Sequence, residues 1–407
     1  MSSDRISRPL RVLHVAPTPF FSDRGCHMRI RGIIHALNRL PVSNVLCTYH
    51  LGRDIEGIDC IRTATIPGYT KLEAGPSGYK YLADILLFFK LCATIHKRRP
   101  DIIHGHLHEG ALLGWAARLC FFWRRIPLVF DMQGSLVGEL DEHGYFTRLP
   151  WLRRLFLGVE HLITRMPDHL VCSSTNGMAI LQSTFHIDPS RVTLVSDAAD
   201  VCTDTDSIIT RSSLGIPDDR TIVIYTGALL EAKGLSNLYR MMLDVRRRNF
   251  AVHFLIIGYP EEPVQAFCRE HRIEDFCTIV GRVPYERLGS YLKVADVAVE
   301  PKFSESGEAS GKLMNYMCSG LPVVCYDTPA NRHILGELGY YARRDGEDDL
   351  ARQLEVVLSQ PQTACRRGEA AKRRAENEFT WDAAAQRLMT IYNGCLCKVG
   401  HAASKCE

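Results

Sequence analysis

Short apolar segments alternate with helical segments along nearly the whole chain, and this alternation begins a second time after residue 217. In the first half, strands are predicted at 10–16, 44–49, 101–104, 127–130, 168–173 and 191–196. In the second half, they are predicted at 221–225, 254–258, 278–280, 297–299 and 323–326. Consecutive parallel strands need a crossover connection, and a helix between each pair of strands supplies it. The pattern therefore predicts an α/β fold with a parallel, doubly wound sheet in each half.

The length of the chain indicates two domains, because 407 residues exceed what one ordinary hydrophobic core accommodates. We predict an N-terminal Rossmann-like domain over 1–198, a polar linker over 199–217 and a C-terminal Rossmann-like domain over 218–380. The dinucleotide fingerprint GxGxxG does not follow the first strand, which argues against NAD or FAD as a cofactor.

Charge and cysteine content exclude several classes of function. The net charge is only +3, so the chain is not a polycation that binds nucleic acid. The 15 cysteines form no CxxC pair, so no zinc site is expected, and Cys395, Cys397, Cys406 and His401 are interpreted as part of a tail. The N-terminus has no apolar signal core and no apolar run approaches ~18 residues, so we expect a cytoplasmic protein with reduced thiols.

The segment 296–326 contains the strongest candidate for a binding site. A short strand leads into a polar loop, a short helix follows, and the next strand begins at residue 323. In an open parallel sheet such a loop lies at the carboxyl edge, where ligands bind. Ser310 and Gly311 are predicted at the helix N-terminus, where free N–H groups attract an anion such as phosphate. Lys312 adds a positive charge there.

A second loop of the same kind follows the first strand of the C-terminal half, over 225–234. Gly227 permits the turn, and Lys233 lies next to the start of the following helix. By itself Lys233 is typical of a solvated lysine at a helix start. Because Lys233 and Lys312 are predicted at the same edge of one sheet, the two together indicate a diphosphate site.

Three motifs resemble those of the retaining glycosyltransferases of family 4, and they occur in the same order. GKLMNYMCSGLPVV (311–324) is similar to K-L-x-E-Y-M-A-x-G-x-P-V-V, YTGALLEAKG (225–234) to G-R-L-x-x-x-K-G, and DIIHGH (101–106) to D-x-x-H-x-H. The resemblance covers about residues 10–395. It implies the GT-B fold, in which two Rossmann-like domains face each other across a cleft. It also implies that a helix over 381–396 crosses back to the N-terminal domain, which leaves a tail over 397–407.

The resemblance further implies a nucleoside-diphosphate sugar as donor, bound mainly by the C-terminal domain, with no metal and no other cofactor. The implied catalytic residues are His106, Lys233 and Lys312. The implied donor-binding residues are Gly25, Gly227, Lys233, Glu308, Ser310, Gly311, Lys312, Leu313 and Asn315. The lysines would stabilise the leaving diphosphate, and His106 would hydrogen-bond the sugar or assist at the reacting carbon. Taken without the motif, His106 could equally be a hydrogen-bonded histidine at a strand end.

The chain departs from the family pattern at three places. Ala228 replaces the arginine that follows the glycine, and either Arg24 or Arg282 could substitute for its charge. Asn315 replaces the second acidic residue, and an amide binds a ribose hydroxyl without charge assistance. The first acidic position falls on Gly307, with Glu305 and Glu308 on either side. These departures leave open a weakened, specialised or inactive site.

The segment 145–165 combines arginines with aromatic and aliphatic residues, among them Trp151, Arg153, Arg154 and Leu155. Such a segment can lie on an anionic membrane face. The alternative is a helix that packs on the core and has a solvated basic face. Peripheral contact with the inner face of the membrane is therefore the less favoured of two hypotheses.

The sequence thus predicts a retaining glycosyltransferase of the hexosyltransferase type, active in polysaccharide or glycolipid biosynthesis. Its acceptor would be a glycan or a lipid-linked molecule. One alternative is a GT-B epimerase or hydrolase, for which Asp131, Glu139 and Glu308 are the candidate carboxylates. The other is a non-catalytic protein that binds nucleotide sugars, which Ala228 and Asn315 favour.

Overall fold

The chain forms two compact units in the computed structural model, which describes residues 8–22, 24–72, 77–142, 144–147, 149–198, 209–303, 310–343 and 349–404. The first unit comprises Met1–Asp197 and Trp381–Glu407. The second comprises Ala198–Glu305 and Ser310–Thr380. Each unit has its own sheet and its own hydrophobic core, so the predicted two-domain α/β organisation is confirmed.

The first unit contains a seven-stranded sheet in which all neighbouring strands run parallel. Its strands are β1 Leu10–Ala16, β2 Val42–Thr48, β3 Cys60–Arg62, β4 Ile102–His106, β5 Leu128–Met132, β6 His169–Cys172 and β7 Val192–Leu194. They lie in the order β3-β2-β1-β4-β5-β6-β7. The order reverses between β1 and β4, which is the topological switch point of a doubly wound fold.

Helices connect these strands as crossovers. They are α1 Gly25–Leu37, α2 Gly78–Arg98, α3 Leu107–Leu119, α4 Leu136–Glu142, α5 Pro150–Arg165 and α6 Thr175–Ser183. In α1, the sequence spacing of Ile30, Ile33, Ile34 and Leu37 predicts one apolar helix face, and all four residues are buried in the core.

The second unit contains a six-stranded parallel sheet in the order β10-β9-β8-β11-β12-β13. Its strands are β8 Thr221–Thr226, β9 Val252–Ile257, β10 Cys277–Gly281, β11 Val297–Glu300, β12 Val323–Tyr326 and β13 Tyr340–Ala342. Its helices are α7 Leu235–Arg247, α8 Glu262–His271, α9 Leu288–Leu292, α10 Gly311–Cys318, α11 Pro329–Leu335, α12 Asp349–Ser359 and α13 Pro361–Glu378. Separate apolar clusters cover the two faces of this sheet, which explains why its strands are continuous apolar runs.

The last helix, α14 Trp381–Ser404, belongs to the first unit and packs against α1. Gly32 of α1 makes this contact close, because a β-carbon there would lie 2.1 Å from the ring of Trp381. The sequence predicted a helix that ends at residue 396 and a tail over 397–407. The helix instead continues to Ser404, so the predicted tail is helical at its start.

Part of the predicted linker is packed rather than free. Residues 199–208 lie outside the described part of the chain, but the following segment joins the second unit. Arg211 Nη2 donates to both carboxylate oxygens of Asp296, at 2.9 and 2.7 Å, and Ile216 is buried in the core. The polar composition of 199–217 did not indicate this, because the contacts depend on Arg211 and Ile216, two residues within a largely hydrophilic segment.

Candidate functional site

The carboxyl ends of β8 and β11 lie side by side in the second unit. The two strands pair in parallel, with Val297 opposite Val223 and Ala298 opposite Ile224. The loops that follow them therefore emerge at the same edge of the sheet. They belong to the segments 225–234 and 296–326, which the sequence analysis identified; residues 304–309 lie outside the described part of the chain.

Lys312 reaches back from the first turn of α10 to this edge. Its Nζ lies 3.0 Å from Glu300 Oε1 and 4.6 Å from the centre of the Tyr225 ring. Its aliphatic part passes over Gly227, where a β-carbon would lie 3.1 Å from Lys312 Cδ. Glycine at this position, with a φ of +126°, therefore leaves room for the lysine side chain and also allows the turn.

Glu300 organises the start of α10. This carboxylate is 1% exposed. It accepts hydrogen bonds from the Ser310 hydroxyl at 2.5 Å and from the Lys302 backbone N–H at 3.2 Å, besides its ion pair with Lys312. A buried carboxylate is tolerated only when it is paired and hydrogen-bonded in this way. It therefore fixes Ser310 and Lys312 relative to each other.

Lys233 and Gly234 lie close to the same group. Gly234 has a φ of +87°, and a β-carbon there would lie 2.3 Å from the carbonyl oxygen of Pro301. The turn before α7 is therefore pressed against the loop after β11. Burial and the nearby Glu300 raise the pKa of Tyr225, and the positive charge of Lys233 partly opposes this.

Two further residues of α10 point away from solvent. The Asn315 side chain is 8% exposed, and its Oδ1 accepts a hydrogen bond from the Tyr285 hydroxyl at 2.9 Å. Leu313 lies entirely in the core, and its backbone N–H donates to the Ser310 carbonyl at 3.1 Å. The side chain of Leu313 thus serves packing, and its N–H is already engaged.

The first unit holds a fully buried cluster of three histidines where β1 and β4 pair. His14 Nδ1 lies 3.0 Å from His106 Nε2, and the rings of His104 and His106 are 4.5 Å apart. His14 Nε2 meets Asn44 Oδ1 at 3.1 Å, and His104 Nδ1 meets the Tyr392 hydroxyl at 2.6 Å. Burial, together with the neighbouring His106, lowers the pKa of His14 to about 3 and that of His104 well below its usual value.

An ion-pair group continues from this cluster. His106 Nδ1 lies 3.0 Å from Asp131 Oδ2. Arg29 of α1 donates to both oxygens of Asp131 at 2.7–3.0 Å, and also to Asp197 Oδ1 at 2.7 Å and the Val195 carbonyl at 2.9 Å. Burial alone raises the pKa of Asp131, but Arg29 and the hydrogen bond from His106 outweigh it and hold that pKa well below its usual value. Asp131 is therefore an ionised carboxylate whose position is fixed by its hydrogen bonds.

Comparison with known families agrees with this architecture. Residues 24–198 match the glycosyl transferase 4-like domain, and residues 206–374 match the glycosyl transferases group 1. The chain belongs to the group 1 glycosyltransferases. Among its curated relatives is the D-inositol 3-phosphate glycosyltransferase of Corynebacterium diphtheriae, 28% identical over 324 residues that cover 74% of this chain and 72% of the relative. The enzyme of that name from Streptomyces scabiei is 26% identical over 365 residues, which cover 80% of this chain and 76% of the relative.

Solved structures share the GT-B fold of this glycosyltransferase. Sucrose-phosphate synthase from Thermosynechococcus elongatus superposes with a TM-score of 0.80 at 18% identity, covering 96% of this chain and all of the other. Anabaena HepE, solved in complex with UDP and glucose, superposes with a TM-score of 0.73 at 15% identity, covering 94% of this chain and 99% of the other. The predicted fold class is therefore confirmed.

Besides Leu313 and Asn315, described above, the predicted site residues of this glycosyltransferase fall into three groups. Those near Glu300 in the second unit are Gly227, Lys233, Ser310, Gly311 and Lys312. Glu308, with Glu305 and Gly307, lies outside the described residues. Gly25 and His106 lie in the first unit, at the start of α1 and the end of β4. Both nitrogens of His106 are engaged within the buried cluster, and its ring has no exposed surface.

Sequence reasoning missed the residues that hold the others in place. The sequence patterns assigned no role to Glu300, although an acidic residue directly after a buried strand at a ligand-binding edge is a usable indication. Arg29 lies next to the apolar face of α1, and nothing in the local pattern marks it as buried. Arg282, one proposed substitute for the missing arginine, lies over the Tyr259 ring at 4.7 Å. The Tyr259 carbonyl accepts a hydrogen bond from the Leu229 N–H, so Arg282 is near the loop that contains Ala228.

Proposed function

We propose that this chain transfers a hexose-type sugar, with retention, from a nucleoside-diphosphate sugar to a glycan or lipid-linked acceptor. The observation that supports it most is the convergence of Lys312, Ser310 and Gly227 at the carboxyl edge of β8 and β11. A lysine, a hydroxyl and a helix N-terminus at one place suit a diphosphate. HepE, which has the same fold, was solved with UDP, a nucleoside diphosphate. The related D-inositol 3-phosphate glycosyltransferases are named as enzymes that transfer a sugar.

In this proposal the main task of the protein is to stabilise the leaving diphosphate. Lys312 and Lys233 supply positive charge, and the N-terminus of α10 supplies backbone dipoles that need no reorganisation during the reaction. Because these groups belong to the chain itself, transfer is expected to need no divalent metal. Glu300 holds Lys312 in place before the donor arrives, so the lysine is positioned but partly neutralised.

A thermal-shift screen against UDP, GDP, ADP and their sugars, with and without Mg²⁺, tests this proposal. A ligand that binds only the folded chain raises the melting temperature by mass action, equivalent to about 2.7 kcal/mol at a concentration of 100 Kd. We expect one nucleotide to raise it, equally with and without Mg²⁺. If no nucleotide raises it, donor binding by this chain is disproved.

A second candidate is a non-catalytic nucleotide-sugar-binding protein. It is favoured by three features: Glu300 partly neutralises Lys312, Ala228 lacks the positive charge of an arginine, and Asn315 lacks the charge with which a carboxylate would bind a ribose hydroxyl. Nucleotide binding without product formation from any sugar donor would support this candidate. The epimerase or hydrolase is less favoured, because Asp131 is fully buried and bound by Arg29 and cannot act as a free base.

A substitution at Gly25 can test ligand binding without disturbing the fold. Among the residues that the structure describes, nothing lies within 4 Å of a β-carbon built on Gly25, and the φ of Gly25 is not in the left-handed region. We therefore expect Gly25→Ala to keep the melting temperature or to raise it slightly, by about 0.4–1 kcal/mol of stability. If the glycine makes room for donor or acceptor, the kcat/KM of sugar transfer should fall roughly 10- to 100-fold.

Gly234→Ala is the contrasting variant, because its β-carbon would strike the Pro301 carbonyl and its φ is positive. It should lose stability, by roughly 1–3 kcal/mol. Unchanged activity in Gly25→Ala would remove Gly25 from the binding site.

Membrane contact stays a separate hypothesis for the acceptor. The structure has no helix, among the residues it describes, that is long and apolar enough to cross a bilayer. Helix α5 exposes Trp151, Leu155 and Leu162 at 64%, 55% and 59%, with Arg154 also exposed. Arg153 of the same helix pairs with Asp141. Arg148, which precedes the helix in the basic segment 145–165, lies outside the described residues.

Vesicle binding tests this hypothesis. If α5 lies on a membrane, the chain should sediment with vesicles that contain phosphatidylglycerol, and Trp151→Ser with Leu155→Ser should weaken that binding at least ~10-fold. The matched control replaces Tyr81 and Phe89 of α2 with serine. These residues form another exposed apolar stripe, 77% and 63% exposed, that the sequence analysis did not single out. An equal loss in both variants, or no binding by the wild type, would contradict a specific role for α5.

A further inference from the structure

Hydrogen-bond directions determine which ring nitrogen of His14 carries a proton. Asn38 Nδ2 donates to the Gly57 carbonyl at 2.7 Å, so Asn38 Oδ1 is turned toward Asn44. Asn44 Nδ2 donates to that oxygen at 2.8 Å, which leaves Asn44 Oδ1 facing His14 Nε2 at 3.1 Å. A carbonyl oxygen only accepts hydrogen bonds, so His14 Nε2 carries a proton.

The outer nitrogen of His106 also carries a proton. His106 Nδ1 lies 3.0 Å from Asp131 Oδ2. Asp131 is ionised, because the buried Arg29 donates to both of its oxygens and Gln133 Nε2 donates a further hydrogen bond at 3.1 Å. A carboxylate only accepts, so His106 Nδ1 is the donor in this contact.

The inner nitrogens of the two rings, His14 Nδ1 and His106 Nε2, face each other directly. They lie 3.0 Å apart, the ring centres lie 5.3 Å apart and the ring planes differ by 15°. Given the size of an imidazole ring, these values require both nitrogens to lie on the line between the centres. The rings are therefore edge to edge and nearly coplanar. An N–H of one ring must point at the lone pair of the other, because two buried lone pairs at this distance would repel each other.

The pair of rings therefore needs three protons, one on each outer nitrogen and one between the rings. The outer partner of His106 is the Asp131 carboxylate, whereas the outer partner of His14 is the neutral amide of Asn44. Burial, together with the neighbouring His106, lowers the pKa of His14 to about 3. Both observations favour His106 as the ring that carries two protons.

The charged groups beside His106 favour the same assignment. Arg29 of α1 pairs with Asp131 at the end of β5 and with Asp197 after β7, so one positive charge meets two negative charges. A second proton on His106 makes this group neutral. Buried charges are tolerated only when they are paired, and the side chains of Arg29 and Asp131 are 2% and 0% exposed.

Three further titratable groups, one on each of β4, α14 and β6, stay uncharged. The ring of His104 lies 4.5 Å from that of His106, and burial together with His106 lowers its pKa well below the usual value. Burial raises the pKa of Tyr392, which contacts His104, well above the usual value. Burial also raises the pKa of Cys172 to about 12. None of these groups alters the charge balance.

We propose that His14, backed by Asn44, is a positioning residue that holds His106 as a doubly protonated ring in a single orientation. Asp131 fixes one edge of this ring, and His14 fixes the other. For its effect on catalysis the inference rests on the proposed function, in which the family motif implies that His106 acts at the sugar. A catalytic group whose orientation and charge are set before the donor binds needs no reorganisation during the reaction.

Nitrogen-15 spectra of the full chain with labelled histidine test the protonation of His106 without any donor. The signals of His106 are identified by their absence from the spectrum of His106→Asn. At about pH 7.5, where an ordinary histidine is mostly neutral, both ring nitrogens of His106 should carry protons. A single proton on this ring would overturn the proposal.

Asn44→Leu tests whether the hydrogen bond behind His14 sets the charge of His106. In this variant His14 Nε2 has lost its acceptor, so its proton can move to Nδ1 and donate to His106 Nε2. His106 then needs only the proton on Nδ1, and the second one should disappear. The control is His169→Gln, whose Nε2 meets Thr193 Oγ1 at 2.9 Å outside the cluster, and it should keep both His106 protons. Two protons on His106 in Asn44→Leu would overturn the role of His14.

The kinetics of two His14 variants separate positioning from packing. In His14→Asn the amide oxygen can replace Nδ1 as the acceptor for His106, whereas leucine, of similar size, cannot. His14→Leu is expected to lower kcat of sugar transfer roughly 10- to 100-fold with little change in the donor KM. It should also move the alkaline limb of the pH–rate profile to lower pH, because His106 loses its second proton more readily. His14→Asn should keep most of kcat.

Thermal melting checks that both variants are folded at the assay temperature. Equal kcat values and equal pH profiles for His14→Leu and His14→Asn would give His14 a packing role only and would overturn the proposal. If the wild-type chain transfers no sugar from any donor, the proposed function fails. The nitrogen-15 spectra need no donor, so they still decide whether His14 and Asn44 hold His106 doubly protonated.

Discussion

Lys312→Met is expected to bind nucleoside diphosphates about 1–3 kcal/mol more weakly than the wild-type chain, which is the range of a charge-assisted hydrogen bond. Methionine keeps the aliphatic part that packs over Gly227 and Tyr225, so the change removes mainly the charge. Calorimetric titration with the nucleotide identified by thermal shift measures the effect. Lys233→Ala should weaken binding within the same range, and if neither variant does so, the site assignment is wrong.

Lys312→Met should also destabilise the fold, because it leaves the Glu300 carboxylate buried without its cation. The expected cost is about 3 kcal/mol, the lower end of the range for a broken buried pair, since the lysine side chain is 18% exposed. Glu300→Gln in the same chain removes that charge and keeps a group that hydrogen-bonds Ser310. The double variant is therefore expected to recover stability while nucleotide binding stays weak. If binding recovers with stability, Lys312 acts only as the partner of Glu300.

Arg29→Met is expected to cause the largest loss of stability, about 3–5 kcal/mol of the free energy of unfolding. The variant leaves Asp131 charged and fully buried, and it removes a donor from both Asp197 and the Val195 carbonyl. Since whole domains are stable by only about 5–15 kcal/mol, the first unit should unfold at a markedly lower urea concentration. Equilibrium unfolding followed by circular dichroism measures this.

Arg39→Met is the matched control, because Arg39 follows the same helix and pairs with Asp382 at the surface. Its side chain is 64% exposed and that of Asp382 is 66% exposed, so the expected cost is below about 1 kcal/mol. Arg29→Met with Asp131→Asn should be more stable than Arg29→Met alone, because no buried charge remains. Equal losses for Arg29→Met and Arg39→Met would show that the buried ion pair contributes little.

Sequence patterns were sufficient for the fold because they are local. The buried face of α1 follows from the spacing of Ile30, Ile33, Ile34 and Leu37, and each half repeats the alternation of strands and helices. Helix α13 was not predicted, because it lacks such an apolar pattern. Its buried residues are Ala364, Gly368, Ala371 and Ala375, so its core face has no large apolar side chain to mark it. A β-carbon on Gly368 would lie 2.1 Å from the Gly320 carbonyl, which shows that small residues are needed there.

Some residues of the candidate site could be predicted from the sequence, and others could not. Gly227, Ser310 and Lys312 could be predicted, because each follows or begins an element that the sequence marks, and parallel strands bring their carboxyl ends to one edge. Glu300 could not be assigned a role, since its partners depend on how α10 returns to β11. For His106, the motif indicated the position, while the structure shows which groups occupy its two nitrogens.

By itself, the sequence determined the class of fold, the two domains and the family, because hydrophobic periodicity and short motifs are properties of neighbouring residues. It also predicted the loops where a diphosphate would bind. Only the tertiary structure decided which charges are paired. Arg29 meets Asp131 across 102 positions of the chain, and His104 meets Tyr392 across 288. Such contacts depend on strand order and on the return of α14 to the first unit, and no local pattern encodes either. The buried histidine cluster belongs to this second kind of information, because it exists only once β1, β4 and β5 are adjacent.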